Sequence, residues 1–142
     1  LFNFLTITPY QYTYLNILNG EKENRYKKFE NDYWGVSVKE LIKKIPKETN
    51  LISKNTKVKI IFCGLNRAII KKELEKLNDF EFEEQNLYSE DFDYVIMTNR
   101  VVGDSHNDIL SNVKTCFQKF EGETLTSVKR NGLVLSTLRK KL

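Results

Sequence analysis

The sequence predicts an α/β domain: a small, partly parallel β-sheet with helices packed on it and a C-terminal β-hairpin. Runs rich in branched and aromatic residues at 57–63 and 92–98 flank a segment with helical spacing of apolar residues. That order of strand, helix and strand favours a right-handed crossover between parallel strands. Near the end of the chain, Asn131-Gly132 separates two further β-like runs, and an Asn-Gly pair is typical of a two-residue hairpin turn.

The length and composition fit one folded domain, which we place at residues 19–142. The chain has 142 residues, of which 40% are hydrophobic and 30% charged. A chain of this size buries roughly 65 to 70% of its unfolded surface when it folds. The net charge is +4, but 23 basic residues alternate with 19 acidic ones along most of the sequence. This pattern is typical of solvated surfaces, so no nucleic-acid partner is predicted.

Residues 1–18 are predicted to form a membrane-proximal aromatic segment. Tyr10, Tyr12 and Tyr14 alternate with polar residues, a period of two that is typical of an extended segment with one aromatic face. Tyrosine is also enriched where membrane-spanning segments meet water. The apolar residues at the start of the chain are far fewer than the ~20 that cross a bilayer, and we expect them to be the end of a membrane segment.

The next element is predicted to be a short helix over residues 38–45, after a polar loop. Ser37 is the predicted N-cap, and Glu40, three residues later, would complete a capping box. Pro46 is predicted to stop this helix, because proline lacks the backbone donor that a helix interior requires.

The first buried strand ends at Gly64, and a second helix is predicted to follow it. Asn66 can cap this helix, because its side chain can accept a hydrogen bond from the first turn. The apolar stripe expected to face the sheet is Ile69, Ile70, Leu74 and Leu77. Phe80-Glu81-Phe82 alternates like a short edge strand, and the hairpin strands are predicted over residues 123–128 and 133–138.

The two cysteines, Cys63 and Cys116, lie far apart and have no metal-ligand spacing. Cys63 ends an apolar strand, where a buried, inert thiol is the usual expectation. A Cys63–Cys116 disulfide requires an oxidising compartment, so the sequence leaves the state of these thiols open.

Two other motifs give weak signals. Gly64 lies between a strand and a helix, where nucleotide-binding folds hold phosphate, but their fingerprint needs three glycines and only one is present here. His106 lies among loop-forming residues, and a single histidine without a partner cysteine or histidine cannot build the usual zinc site. The sequence therefore predicts no cofactor and no metal.

The segment Phe29-Glu30-Asn31-Asp32-Tyr33-Trp34-Gly35 combines two carboxylates with three aromatic rings. On an extended chain Glu30 and Asp32 project from one face, and such a pair can bind a cation, a sugar hydroxyl or an arginine. Local pairing with nearby basic residues is the alternative. Aromatic rings beside carboxylates suit sugar faces or hydrophobic docking. The predicted surface facing the membrane body or an acceptor consists of Tyr10, Gln11, Tyr12, Glu30, Asp32, Tyr33 and Trp34.

These motifs resemble a known family. Pro9-Tyr10-Gln11-Tyr12 and the later run Phe29-Glu30-Asn31-Asp32-Tyr33-Trp34-Gly35-Val36-Ser37 are similar to the C-terminal soluble region of bacterial multi-spanning glycosyltransferases of the dolichyl-phosphate-mannose protein mannosyltransferase type. The sharp motifs cover residues 9–41, and residues 124–138 are similar to the hairpin that closes such chains. The chain departs from the family pattern at Thr8, where the family has histidine.

The resemblance implies an extracytoplasmic, periplasmic domain that follows the last membrane span of such an enzyme. The catalytic acids of the family belong to the membrane bundle, so this piece is expected to be non-catalytic by itself, with a structural or acceptor-orienting role. Its implied partners are the transmembrane part of the same chain and a polyprenyl-phosphate sugar or the acceptor.

An alternative function belongs to another class: an independent soluble α/β ligand-binding or enzymatic domain. Ligands of open α/β sheets bind outside the carboxyl ends of the strands. That site would lie near Gly64, Asn66, Thr98 and Arg100.

Overall fold

A mixed five-stranded sheet forms the centre of the structure, a computed structural model that describes residues 35–49, 57–102, 114–130 and 132–142. The strands in chain order are β1 (Val58–Cys63), β2 (Phe82–Gln85), β3 (Tyr94–Thr98), β4 (Val101–Val102), β5 (Lys114–Thr115), β6 (Glu123–Arg130) and β7 (Leu133–Lys140). The helices are α1 (Ser37–Glu48), α2 (Arg67–Leu74) and α3 (Cys116–Lys119).

The strand order in the main sheet is β2-β1-β3-β7-β6. The strands β1, β2 and β3 are parallel, β7 runs antiparallel to β3, and β6 pairs antiparallel with β7. The short strands β4 and β5 form a separate antiparallel pair. The α/β class, the partly parallel sheet and the C-terminal hairpin are therefore confirmed.

The two central parallel strands are buried because both of their faces are covered. All five residues of β3 are buried, and in β1 only Lys59 is partly exposed. This explains why the sequence of these strands is a nearly continuous apolar run and not an alternating one. Side chains of successive residues point to opposite faces, and they supply two separate apolar clusters.

The helices α1 and α2 cover one face of the sheet, where they pack on Ile60, Phe62 and Ile96. The opposite face carries a second cluster, which includes Ile61, Val95, Met97, Cys116 and Phe120. This second face is covered by the short helix α3 and by the loop that connects β2 to β3.

The predicted start of α1 is wrong by one residue. Val36 occupies the N-cap position and Ser37 is the first helical residue, fully buried. The carboxylate of Glu40, expected to complete a capping box, lies 2.5 Å from Nη2 of Arg130 on β6. An ion pair with the sheet thus uses the Glu40 side chain that local capping was expected to use.

The predicted end of α1 is also wrong, because Pro46 lies inside the helix, which continues to Glu48. The carbonyl oxygen of Ile45 accepts hydrogen bonds from the backbone N–H of Thr49, at 3.0 Å, and from its hydroxyl, at 2.6 Å. Proline removes one donor from the helix, and the two hydrogen bonds from Thr49 to Ile45 close the last turn beyond it.

The predicted cap of α2 is confirmed, since Oδ1 of Asn66 accepts a hydrogen bond from the backbone N–H of Ile69 at 3.3 Å. Ile70 and Leu74 are buried and Leu77 packs against the same core. Ile69 is 46% exposed, so its place in the apolar stripe was wrong. One residue of helix turns a side chain by about 100°, which carries Ile69 away from the face that holds Ile70.

The edge strand β2 begins at Phe82, which is the last residue of the edge strand predicted over residues 80–82. Phe80 lies before the strand and is buried, and its ring stacks on that of Phe82 with centroids 6.0 Å apart. The hairpin strands each extend two residues beyond their predicted ends. Gly132 has φ +80°, a conformation that glycine adopts without steric cost and that the hairpin turn requires.

Candidate functional site

The predicted surface of Tyr10, Gln11, Tyr12, Glu30, Asp32, Tyr33 and Trp34 lies outside the described residues, as does His106. Gly35, the last residue of the acidic and aromatic segment, is described and lies at the entrance to α1. A Cβ atom on Gly35 would lie 3.2 Å from Cδ2 of Leu65. Gly35 itself therefore lies beside the loop that follows β1, at the carboxyl edge of the parallel strands.

The alternative site at this edge is brought together by the fold but is filled by protein. Gly64 has φ +71°, and a Cβ atom there would lie 2.6 Å from Cβ of Arg100, 2.8 Å from Oγ1 of Thr98 and 3.2 Å from Sγ of Cys116. The hydroxyl of Thr98 donates to the carbonyl oxygen of Gly64 at 2.9 Å. The side chain of Asn66 serves as the cap of α2. The space beside Gly64 is thus occupied by neighbouring side chains.

A disulfide between Cys63 and Cys116 lies in the same place. It joins the last residue of β1 to the first residue of α3, with Cα atoms 5.8 Å apart. Both cysteines are fully buried. The backbone N–H of Cys116 also donates to the carbonyl oxygen of Arg100 at 2.8 Å. Cys63 is therefore buried as expected, but it is bonded to Cys116 instead of being a free thiol.

Two features are absent from the described residues. In that part of the chain, no group of three or more His, Cys, Asp or Glu side chains could hold a metal ion. None of the helices described there is long and apolar enough to cross a membrane.

Two adjoining grooves lie near the amino ends of β1 and β3. One has a volume of about 430 Å³ and includes Lys57 and Lys140 in its lining. The other, of about 580 Å³, lies between the loop after β2 and the end of α3. Both grooves share Phe92, Lys141 and Leu142. We call the second one the Tyr88 groove, after its most exposed aromatic ring.

The acidic residues near the smaller groove are held by Lys59. Its ammonium forms an ion pair with Asp91, and its backbone N–H donates to Oδ2 of Asp93 at 2.9 Å. The hydrogen bond with Asp91 raises the pKa of Lys59 above its ordinary value. Burial raises the pKa of Tyr94, whose ring also lines this groove. Lys59 stays charged and Tyr94 stays neutral through the physiological pH range.

Aromatic rings and ammonium groups alternate in the Tyr88 groove. Nζ of Lys119 lies 4.3 Å from the centroid of the Tyr88 ring, and Nζ of Lys141 lies 4.9 Å from that of Phe92. The rings of Phe92 and Phe120 meet edge to face with centroids 5.8 Å apart. Cations over ring faces are attracted to the negative charge density there, so these contacts fix the lysines beside the rings.

Arg139 holds one wall of this groove in place. Its guanidinium donates from Nη1 to the carbonyl oxygens of Phe117 at 3.0 Å and Phe120 at 2.7 Å, and it lies 5.4 Å from the centroid of the Phe117 ring. Burial lowers the pKa of Arg139, which nonetheless remains charged because arginine has a very high pKa. The cation satisfies carbonyl groups at the end of α3 and so positions Phe120.

The Tyr88 groove could not be predicted from the sequence, because its walls come from three separate parts of the chain. The signal that could have indicated it is a tyrosine in the polar loop Asn86-Leu87-Tyr88-Ser89-Glu90. A large ring in such a loop has no strand or helix pattern that explains it.

No family model, curated protein or solved structure matches this chain.

Proposed function

We propose that the chain is an extracytoplasmic α/β domain of a membrane glycosyltransferase that uses a polyprenyl-phosphate sugar donor. The domain is non-catalytic by itself and supports the membrane part of the same chain or orients the acceptor. The observation that carries the extracytoplasmic placement is the buried Cys63–Cys116 disulfide. Disulfides persist in oxidising compartments such as the periplasm and are rare in the cytosol. The glycosyltransferase part of the proposal is supported by the motifs in residues 9–41.

The packing around Gly64 speaks against the alternative function. A ligand site at the carboxyl ends of the strands needs open space there and donors that are not already used. The neighbours of Gly64 fill that space, and the hydroxyl of Thr98 and the side chain of Asn66 already bond to the domain itself. We therefore do not place a catalytic or ligand-binding role at this edge.

The placement can be tested by trapping thiols in native cells. We expect Cys63 and Cys116 to resist alkylation when cells are harvested in a membrane-permeant alkylating reagent and the protein is then denatured. Both should react once a reductant is added, which mass spectrometry of the peptides will show. The same chain produced in a reducing cytosol is the control, and there both thiols should react without reductant. Alkylation of both cysteines in native cells without reductant would contradict an extracytoplasmic domain.

The role of the acidic motif can be tested in the full-length membrane protein. We expect Glu30→Gln with Asp32→Asn to lower sugar transfer by about tenfold or more, since a hydrogen bond to a charged group contributes about 1.5 to 3 kcal/mol. The thermal unfolding of the domain should not change. Asp79→Asn with Glu81→Gln is a matched control, because these exposed acids have the same spacing. Unchanged transfer in the motif variant would remove its substrate-facing role.

A further inference from the structure

We propose that the Tyr88 groove binds a saccharide that carries an anionic group, a carboxylate or a phosphate. The residues of this groove are not those of the acidic motif, and the proposed site does not depend on the proposed function. It rests on three observations: an exposed ring on a braced loop, ammonium groups beside the aromatic rings of the groove, and carboxylates in the lining of the groove.

The first observation concerns the ring of Tyr88, which is 60% exposed although it belongs to a well-braced loop. The backbone N–H of Tyr88 donates to Oδ1 of Asn86 at 3.0 Å, and that of Ser89 donates to the carbonyl oxygen of Asn86 at 2.9 Å. The hydroxyl of Ser89 accepts from the backbone N–H of Asp91 at 3.1 Å. These bonds brace the backbone of the loop, so the loop loses little conformational freedom when a ligand stacks on the exposed ring.

A sugar ring suits this aromatic surface. The face of a pyranose carries C–H bonds with slight positive charge, and the face of an aromatic ring is negative. Lys119 lies over the Tyr88 ring, and the large exposed fraction of the residue leaves area for a second contact. The phenolic hydroxyl adds a polar group at the rim, so one residue can contact both the apolar face and a hydroxyl of a sugar.

The second observation concerns charge. The ammonium of Lys141 donates to the carbonyl oxygen of Glu90 and lies against the ring of Phe92. Within the described residues this group therefore contacts a backbone carbonyl and a ring, and its positive charge remains available to an anion. The smaller groove adjoins it and adds Lys140, together with Asp93 and with Lys57, which forms an ion pair with Glu83 at 3.3 Å. An anionic substituent would lie at this end, against the ammonium groups of Lys140 and Lys141.

The third observation concerns hydroxyl recognition. Glu90 and Glu121 line the Tyr88 groove together with the hydroxyl-bearing Ser89. Carboxylates accept hydrogen bonds from sugar hydroxyls, and lysines donate to them, so the groove offers both kinds of partner. Its volume of about 580 Å³ falls within the range of about 300 to 1,000 Å³ that is usual for small-molecule sites. These properties favour a saccharide over a purely apolar ligand or a bare anion.

The experiment is an NMR titration of the ¹⁵N-labelled 142-residue chain with four probes: glucuronic acid, glucose 1-phosphate, glucose and inorganic phosphate. We expect saturable shifts of the amide signals of residues 87–92 and 119–121 with glucuronic acid, with glucose 1-phosphate or with both. The comparison of these two probes tells which anionic group is preferred. Glucose lacks the anionic group and inorganic phosphate lacks the sugar ring, so each of them should bind about tenfold more weakly than the acidic sugars.

Variants separate stacking from non-specific attraction. Tyr88→Ala should weaken binding of the acidic sugar about tenfold, whereas Tyr88→Phe, which keeps the ring, should retain most of the affinity. Ile69→Ala is the control, because Ile69 is exposed on α2, on the other face of the sheet. The spectrum of each variant reports directly whether the chain is folded. The variants can be compared at a single probe concentration once the native chain has been titrated.

Three outcomes would overturn the proposal. The first is the absence of saturable shifts at residues 87–92 with both acidic sugars. The second is equal binding by Tyr88→Ala and the native chain, which would show that the ring takes no part. The third is binding of inorganic phosphate or of glucose as tight as that of the acidic sugars, which would show that the groove does not recognise an anionic saccharide.

Discussion

Cys63→Ala with Cys116→Ala is expected to lower the free energy of unfolding by about 4 kcal/mol. The disulfide joins positions that are 53 residues apart, and in the chain-entropy model a closed loop of that size restricts the unfolded chain by about this amount. Domains of this kind are stable by only about 5 to 15 kcal/mol. Loss of the bridge would therefore remove a large part of the stability of the domain.

The measurement is urea-induced unfolding of the double variant, the oxidised native chain and the reduced native chain. The reduced native chain keeps both sulfur atoms, so it isolates the effect of the bond from the effect of two smaller buried side chains. We expect its unfolding midpoint to fall close to that of the double variant. Equal midpoints for the oxidised and reduced native chains would show that the bridge contributes nothing to stability.

Gly64→Ala is expected to lower the free energy of unfolding by about 3 kcal/mol. The positive φ of Gly64, +71°, is disfavoured for alanine. In addition, the new Cβ atom would meet Cβ of Arg100 at 2.6 Å and Oγ1 of Thr98 at 2.8 Å. In Arg100 the contacting atom is Cβ itself, and in Thr98 it is bonded to Cβ. Neither atom can therefore move away without a shift of its own backbone. Overpacking of this kind costs about 1 to 3 kcal/mol, in addition to the backbone strain.

Gly132→Ala is the matched control for this substitution. Gly132 also has a positive φ, +80°, but it is exposed in the hairpin turn, so its replacement should cost only about 1 kcal/mol through backbone strain. Thermal or urea unfolding of both variants gives the comparison. If Gly64→Ala is no more destabilising than Gly132→Ala, the space beside Gly64 can accept an additional atom. That result would support the alternative ligand site at the carboxyl ends of the strands.

The strands could be predicted because their signals are local. The continuous apolar runs of β1 and β3, the Asn-Gly pair of the hairpin and the cap at Asn66 each depend on a few adjacent residues. The errors at Ser37, Pro46 and Ile69 have a different origin. At Ser37 and Ile69 packing against the sheet decides which residues are helical and which face is buried, and that information is spread over distant parts of the chain. At Pro46 the helix continues because Thr49 closes the last turn with hydrogen bonds to Ile45.

The candidate sites were less predictable than the fold. The acidic and aromatic motif is visible in the sequence, but it lies outside the described residues. The sequence left two states open for Cys63 and Cys116, free thiols or a disulfide. It could not decide between them, because the proximity of the two cysteines depends on how α3 packs on the sheet. The Tyr88 groove combines residues 87–92, 119–121 and 141–142, and no local pattern indicates that these segments meet.

The strand order has a consequence for the biosynthesis of this domain. β7 lies between β3 and β6, although it is the last of these strands to be synthesised. A chain that emerges gradually from a ribosome or a translocation channel can therefore pair β1, β2 and β3, but it cannot join them to β6 until residue 140 has emerged. The pairing of β3 with β7 also joins residues that are distant in sequence, such as Tyr94 and Lys140, and such contacts form slowly. In the proposed extracytoplasmic setting, the chain would cross the membrane incompletely folded and finish its sheet on the far side, where oxidation of the two cysteines can follow.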